Sequence, residues 1–278
     1  MMKITDIKGS VKLNNGVQMP YLGLGVYQIE DGKQVVEAIH CALDNGYRHI
    51  DTASLYYNEV GVGKAVNSSA VKRDEIFVTT KVWNSDQGYE QTLRAFDKSI
   101  KRLQFDYIDL YLVHWPVKGK YKQTWKALEK LYNEKRIRAI GVSNFLIPHL
   151  KDLLSDVVIK PMVNQMEFHP YLLQQPLIDF CKEQNIQFQA WSPLMQGRIS
   201  EVGLLVELAI KYKKTPAQIV LRWDLQKEVV TIPKSVRQDR IKENADIFDF
   251  EISDEDMLAI DKLDKSYRFG ADPDNFNF

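Results

Sequence analysis

Arg48-His49-Ile50-Asp51-Thr52-Ala53-Ser54-Leu55-Tyr56-Tyr57-Asn58-Glu59 is the stretch on which the fold turns. A short apolar run stops on a carboxylate, and a segment with helical periodicity opens after Asn58. The same event recurs along the chain. Aliphatic runs end on Lys81, on His114, on Ser143 with Asn144, on Gln165, on Trp191 with Ser192, and on Lys234. In a parallel β/α barrel the chain leaves every strand at one face, so residues scattered along the sequence converge on one cleft. The spacing predicts an α/β fold, a (β/α)8 TIM barrel with its chemistry at one mouth.

Outward from that stretch, apolar runs and helix-period segments alternate. Leu22-Gly23-Leu24-Gly25 reads as the first strand, followed by a helix around Gln34 to Leu43 and the strand ending at Asp51. Further strands fall at Ile76 to Thr79, Ile108 to Val113, Ile137 to Val142, Met162 to Gln165, Ile186 to Ala190 and Val229 to Ile232, with helical segments between them. Before the first strand, Asn14-Asn15-Gly16 separates two short alternating runs and predicts an N-terminal β-hairpin that plugs one barrel end. After the last, Arg237 to Asn244 predicts the eighth helix, and Ser253-Asp254-Glu255-Asp256 predicts an extra C-terminal helix with a serine cap and an acidic first turn. No Pro/Gly-rich linker divides the chain, so residues 1–278 are expected to form one domain.

Composition excludes several partners. The 37 basic residues balance the 37 acidic ones, leaving no global field to draw nucleic acid or an anionic membrane. Two cysteines, both in helical segments, fit neither a disulfide framework nor a thiolate metal site, and no metal is expected. The start, Met1-Met2-Lys3-Ile4, lacks the apolar stretch of a secretion signal, and no run approaches a membrane span, so a cytoplasmic protein is expected.

The strand ends form a chemical set. A carboxylate at the end of a buried strand needs a partner, and Lys81 at the end of the next strand is the natural one. Alone, that pair also fits a structural ion pair. Tyr56 changes the reading, because a phenol near a lysine ammonium becomes a proton donor whose ionised form is stabilised. On this view Lys81 lowers the phenol's pKa. His114 would orient a carbonyl oxygen at the same spot. Such a site protonates oxygen but offers carbon no nucleophile, so hydride from a nicotinamide cofactor is implied. Ser143, Asn144 and Gln165 offer hydrogen bonds to a carboxamide, and Trp191 offers a flat face, although alone it reads equally well as a core aromatic. Lys234-Ser235-Val236 and Arg240 put cations and a hydroxyl beside a helix N-terminus, which suits a phosphate.

Gly46 to Ala53 with Tyr56, Lys81-Val82-Trp83, Leu112-Val113-His114-Trp115-Pro116, Gly141 to Phe145, Asn164-Gln165 with Glu167 and His169-Pro170, Trp191 to Leu194, and Ile232 to Ser235 through Arg240 together resemble the aldo-keto reductases over nearly the whole length. The resemblance implies a catalytic tetrad of Asp51, Tyr56, Lys81 and His114, with Tyr56 the general acid. It implies NADP(H) as cofactor, with Lys234, Ser235 and Arg240 at the 2′-phosphate and Glu243 and Asn244 at the adenine. Gly25, Val26, Ser192, Leu194, Gln196 and Val236 join the implied cofactor contacts. Tyr27, Trp83 and Trp115, with His114, are expected to wall a pocket for a small-molecule carbonyl substrate, glyoxal or methylglyoxal among them. The resemblance also suggests a monomer. The dicarbonyl expectation rests on similarity to short-loop members, since the end from Asp272 to Phe278 is short; the short loops around Val117 to Gln123 and Met195 to Val202 are expected to leave a wide cleft.

Other readings share these residues. A barrel hydrolase could use Asp51, His114 and His169 on a metal, or Asp51 and Glu167 on a sugar, but neither needs Tyr56 beside a lysine. A non-catalytic binding protein on the same fold would keep the nucleotide and dispense with the tetrad. Gly23-Leu24-Gly25 and Gly61-Val62-Gly63-Lys64 suggest nucleotide loops and fail on spacing; both are read as turn or close-packing glycines. Trp125 and Trp223 are expected in the core, and His40, His49 and His169 in structural roles.

Overall fold

A computed structural model describes residues 4–276. Met1 to Lys3, the start of the expected signal-free N-terminus, and Asn277 and Phe278, the last of the short end, lie outside the described residues.

The hairpin is present: β1 (Ser10–Lys12) pairs antiparallel with β2 (Gln18–Pro20). Gly16 at φ 90° makes the turn. The Asn14 amide donates to the carbonyls of Pro161 and Asn185 at 3.1 and 3.0 Å, and Asn15 donates to that of Arg138 at 2.9 Å. Those carbonyls lie at strand beginnings, so the hairpin closes the end opposite the strand C-termini, as expected.

The barrel strands are β3 (Leu24–Gly25), β4 (His49–Asp51), β5 (Phe77–Val82), β6 (Ile108–Val113), β7 (Ile137–Ser143), β8 (Val163–Glu167), β9 (Gln187–Trp191) and β10 (Val230–Thr231). They form one eight-stranded parallel sheet in chain order. Parallel bridges Leu22 to Thr231 and Gly25 to Lys234 join its two edges and close the barrel. Closure requires Gly25, since a Cβ there would stand 2.9 Å from the Ile232 carbonyl oxygen.

Helices α1 (Lys33–Asp44), α2 (Glu59–Asn67), α3 (Tyr89–Leu103), α4 (Tyr121–Asn133), α5 (Ile147–Leu154) and α6 (Gln175–Glu183) each connect successive strands. Two helices, α7 (Gly203–Tyr212) and α8 (Pro216–Gln226), separate β9 from β10, and α9 (Gln238–Ala245) and α10 (Asp254–Asp261) follow. The strands read as continuous apolar runs because both of their faces are buried, one inside the barrel and one under the helices. Ser253 caps α10 as expected, its Oγ accepting from the Asp256 amide at 3.3 Å. Trp125 and Trp223 are fully buried. Gly61 and Gly63 lie inside α2, where a Cβ would meet Val35 and the Leu103 carbonyl, so they serve close packing. Among the described residues, no helix is long and apolar enough to cross a membrane.

Candidate active site

Register places the chemistry. Asp51 pairs with Thr79, so Lys81 stands one side-chain repeat further along β5 on the same face of the sheet. Its Nζ donates to Asp51 Oδ1 at 2.6 Å, to the Thr52 carbonyl at 2.9 Å and to Tyr56 Oη at 3.4 Å. An ammonium has three N–H groups and nothing to accept with, and here it meets three acceptors. Three acceptors favour the charged form of Lys81 against its burial, and Tyr56 accepts from it, leaving the phenolic O–H free for a ligand.

Tyr56 reaches this point on a 3-10 turn, Ser54–Tyr56. Ser54 Oγ donates to the Lys81 carbonyl at 3.0 Å, and Tyr57 reverses the chain at φ 55°. Asn58, which no sequence pattern singles out, is fully buried and locks the loop. It donates to the carbonyls of Val26 and Ile29 at 2.8 and 3.1 Å and accepts from Thr52 Oγ1 at 2.7 Å.

His114 follows β6, its ring edge-on to Tyr56 at 5.9 Å and to Trp83 at 5.1 Å between centroids. Burial, reinforced by Lys81, pushes its pKa well below the usual histidine value, so the ring is neutral and carries one N–H donor. Burial also pushes Asp51 up and Lys81 down, each opposed by the contact with the other. The expected lowering of the Tyr56 pKa is not found. Burial first, then Asp51 and Tyr27, hold the phenol well above its ordinary value, and the lysine does not reverse this. The hydroxyl is a stored proton.

The strand ends expected to hold a carboxamide are committed to one another. Ser143 Oγ donates to the Gln165 carbonyl at 2.9 Å, and Asn144 donates to the His114 carbonyl at 3.0 Å and to Ser143 Oγ at 3.1 Å. Trp191 Nε1 donates to Asn144 Oδ1 at 3.0 Å. Gln165 gives its amide N–H groups to Asp51 Oδ2 at 2.7 Å and to Gln189 Oε1 at 3.0 Å. It thereby becomes a second support for Asp51, and Gln189 another residue that sequence reading missed. What these residues retain toward a ligand is acceptor capacity, at Asn144 Oδ1 and Gln165 Oε1.

One cleft of about 940 Å³ contains nearly all the expected site residues. Tyr27, Trp83, His114 and Trp115 line it, as do Lys234, Ser235, Arg240, Glu243 and Asn244, together with Gly25, Asp51, Ser192, Leu194 and Gln196. Val26 and Val236 do not line it. Val26 is fully buried, its carbonyl held by Asn58, and Val236 sits exposed beside the cleft. The wall also includes Phe269, Gly270, Ala271 and Phe276, from the C-terminal end of the chain, and Phe276 stacks on Trp115 at 4.5 Å. The histidines set aside by sequence have structural partners: His40 the Ala65 carbonyl, His49 Thr79 Oγ1, and His169 Glu167.

Residues 21–265 match the model of the Aldo/keto reductase family. The chain belongs to the aldo/keto reductase family. It is thus an oxidoreductase. It is 59% identical over 274 residues to the glyoxal reductase of Bacillus subtilis, covering 99% of each chain. It is 46% identical over 270 residues to the methylglyoxal reductase DkgA of Escherichia coli, covering 96% of this chain and 97% of that one. Among solved structures, a mutant of Gox0644 in complex with NADPH superposes with a TM-score of 0.92 at 42% identity, covering 97% and 98% of the two chains.

Proposed function

We propose that the protein reduces small aldehydes and ketones with NADPH, Tyr56 delivering the proton, and that glyoxal and methylglyoxal are among its substrates. The observation that carries the proposal is the arrangement at the cleft floor: a protonated Tyr56 hydroxyl, 3.4 Å from the Lys81 ammonium, beside a neutral His114. The names of the relatives supply the substrate class.

The cleft fits the cofactor. Lys234 and Arg240 both line it, so the phosphates of a bound dinucleotide would meet two cations. Lys234, Ser235 and Arg240 would hold the 2′-phosphate, Glu243 and Asn244 the adenine, and Trp191, Asn144 and Gln165 the nicotinamide end. When bound, the dihydronicotinamide supplies hydride to the carbonyl carbon. His114 donates its ring N–H to the carbonyl oxygen and draws the π electrons toward it. Tyr56 gives that oxygen its proton, and the charge left on the phenolate is balanced by Lys81, which Asp51 and Gln165 hold in place. On this reading the chain works as a single-domain monomer in the cytoplasm.

A carbonyl panel with NADPH, followed by absorbance at 340 nm, tests the activity; no oxidation with any aldehyde overturns it. Tyr56→Phe is expected to cut kcat by about 10²- to 10⁴-fold while leaving the NADPH Kd unchanged. Arg240→Ala is expected to weaken NADPH by about tenfold or more and NADH hardly at all. A non-catalytic nucleotide-binding protein would bind NADPH and lose nothing on Tyr56→Phe.

A further inference from the structure

Glu167 ends β8 and is fully buried, yet carbonyl reduction as derived above gives it no task. Its carboxylate receives backbone groups from a hundred residues away. The Phe269 amide donates to Oε1 at 2.7 Å, and the Gly270 amide reaches Oε1 at 3.1 Å and Oε2 at 3.2 Å. His169 Nε2, also buried, lies 3.1 Å from Oε1. Gln174 adds a second tie, donating to the Glu167 carbonyl at 2.6 Å and accepting from Arg268 at 3.0 Å. A carboxylate removed from water needs such donors, and two of these are the main chain of one short segment.

That segment is a wall of the cleft. Gly270 lies so close to the Trp191 indole that a Cβ would stand 2.4 Å from Cη2, and 3.2 Å from Glu167 Oε2. Trp191 is fixed in turn by its bond to Asn144, which holds the His114 carbonyl. The contacts run unbroken from the buried carboxylate through the strap to the histidine at the cleft floor.

We propose that Glu167 is a positioning residue that sets substrate size: by fixing Phe269 and Gly270 against Trp191 it holds the strap at the depth at which a small dicarbonyl touches both walls. This rests on the reductase reading above. A small substrate has few atoms with which to bind, so a wall that recedes loses its contacts, while a larger substrate can still bridge the wider cleft.

The test compares the parent with Glu167→Ala, Glu167→Gln and Gly270→Ala, using methylglyoxal and the bulkier phenylglyoxal. Glu167→Ala is expected to raise the methylglyoxal KM about tenfold with kcat changed by less than about threefold, and to leave the phenylglyoxal KM level or lower. Glu167→Gln keeps an acceptor oxygen and restores most of the parent KM. Gly270→Ala, whose added methyl would press on the Trp191 indole and on the Glu167 carboxylate and so push the strap away, gives the same split. Equal rises for both substrates, a parent-like methylglyoxal KM in Glu167→Ala, or no rescue by glutamine overturns the proposal. Should the parent reduce no carbonyl, the reductase reading fails separately, and amide exchange decides the clamp: Phe269 and Gly270 protected in the parent and released in Glu167→Ala supports it, and unchanged protection overturns it.

Discussion

The proposed role of Tyr56 requires its hydroxyl to carry a proton, and burial keeps it there against the pull of the Lys81 ammonium 3.4 Å away. Burial disfavours the phenolate, and Asp51 and Tyr27 add to the effect, so the acid form persists above the ordinary tyrosine range. His114 is neutral from the outset, because burial and Lys81 lower its pKa well below the usual value. The sign follows for catalysis: neither group changes charge near neutrality. The kcat/KM for reduction is expected to stay flat between about pH 6 and pH 9, where free histidine and a lysine-activated phenol would otherwise titrate. A pH profile with a basic limb that begins below about pH 8 would show that Lys81 overrides burial once the cofactor is in place. Strand order places Lys81 near Tyr56, but the burial of the phenol and the approach of Asp51 and Tyr27 depend on the loop and cleft walls that fold over it, which no local pattern encodes.

At the scale of elements, α2 shows how tightly the outer layer is set. A Cβ on Gly63 would stand 2.2 Å from the carbonyl oxygen of Leu103, the last residue of α3, and a backbone atom cannot rotate away as a side chain can. Gly63→Ala is expected to destabilise the protein by about 3 kcal/mol, read from the shift of the urea midpoint, while kcat per folded molecule is retained. An alanine variant as stable as the parent would show that α2 is free to slide. The alternation of strands and helices was legible because a strand buried on both faces reads as an apolar run and a barrel helix as an amphipathic one. Boundaries were less so: β5 extends to Val82, beyond the Thr79 where the apolar run gives way to Thr80 and Lys81. The clustering of Asp51, Tyr56, Lys81 and His114 was legible because each ends a strand or follows one closely. Asn58, Gln189 and the clamp at Glu167 were not, because their roles lie in hydrogen bonds to residues up to 103 positions away. The strap residues Phe269 to Phe276 carry no periodicity, and only closure of the barrel mouth gives them a place.

For the molecule as a whole, the barrel interior makes stability depend on pH. His49 is fully enclosed, with Nε2 on Thr79 Oγ1 at 3.1 Å and its ring so close to Gly23 that a Cβ there would come within 2.8 Å. Burial, aided by Lys81, takes its pKa from 6.5 down to about 3. The folded state therefore binds this proton less readily than the unfolded chain does. Its contribution is fully present above about pH 6.5, is lost as pH falls toward the folded value, and changes by about 1.4 kcal/mol per pH unit in between. His114 acts in the same direction, whereas Asp224, raised by burial, acts in the opposite one, so the total slope mixes several groups. Removing one histidine isolates its share. Between pH 8 and pH 5 the parent is expected to lose about 2 kcal/mol more stability than His49→Gln, whatever the packing cost of the substitution at pH 8. Urea titrations of both proteins at the two pH values measure the difference, and equal losses would mean that His49 takes up its proton without leaving the barrel.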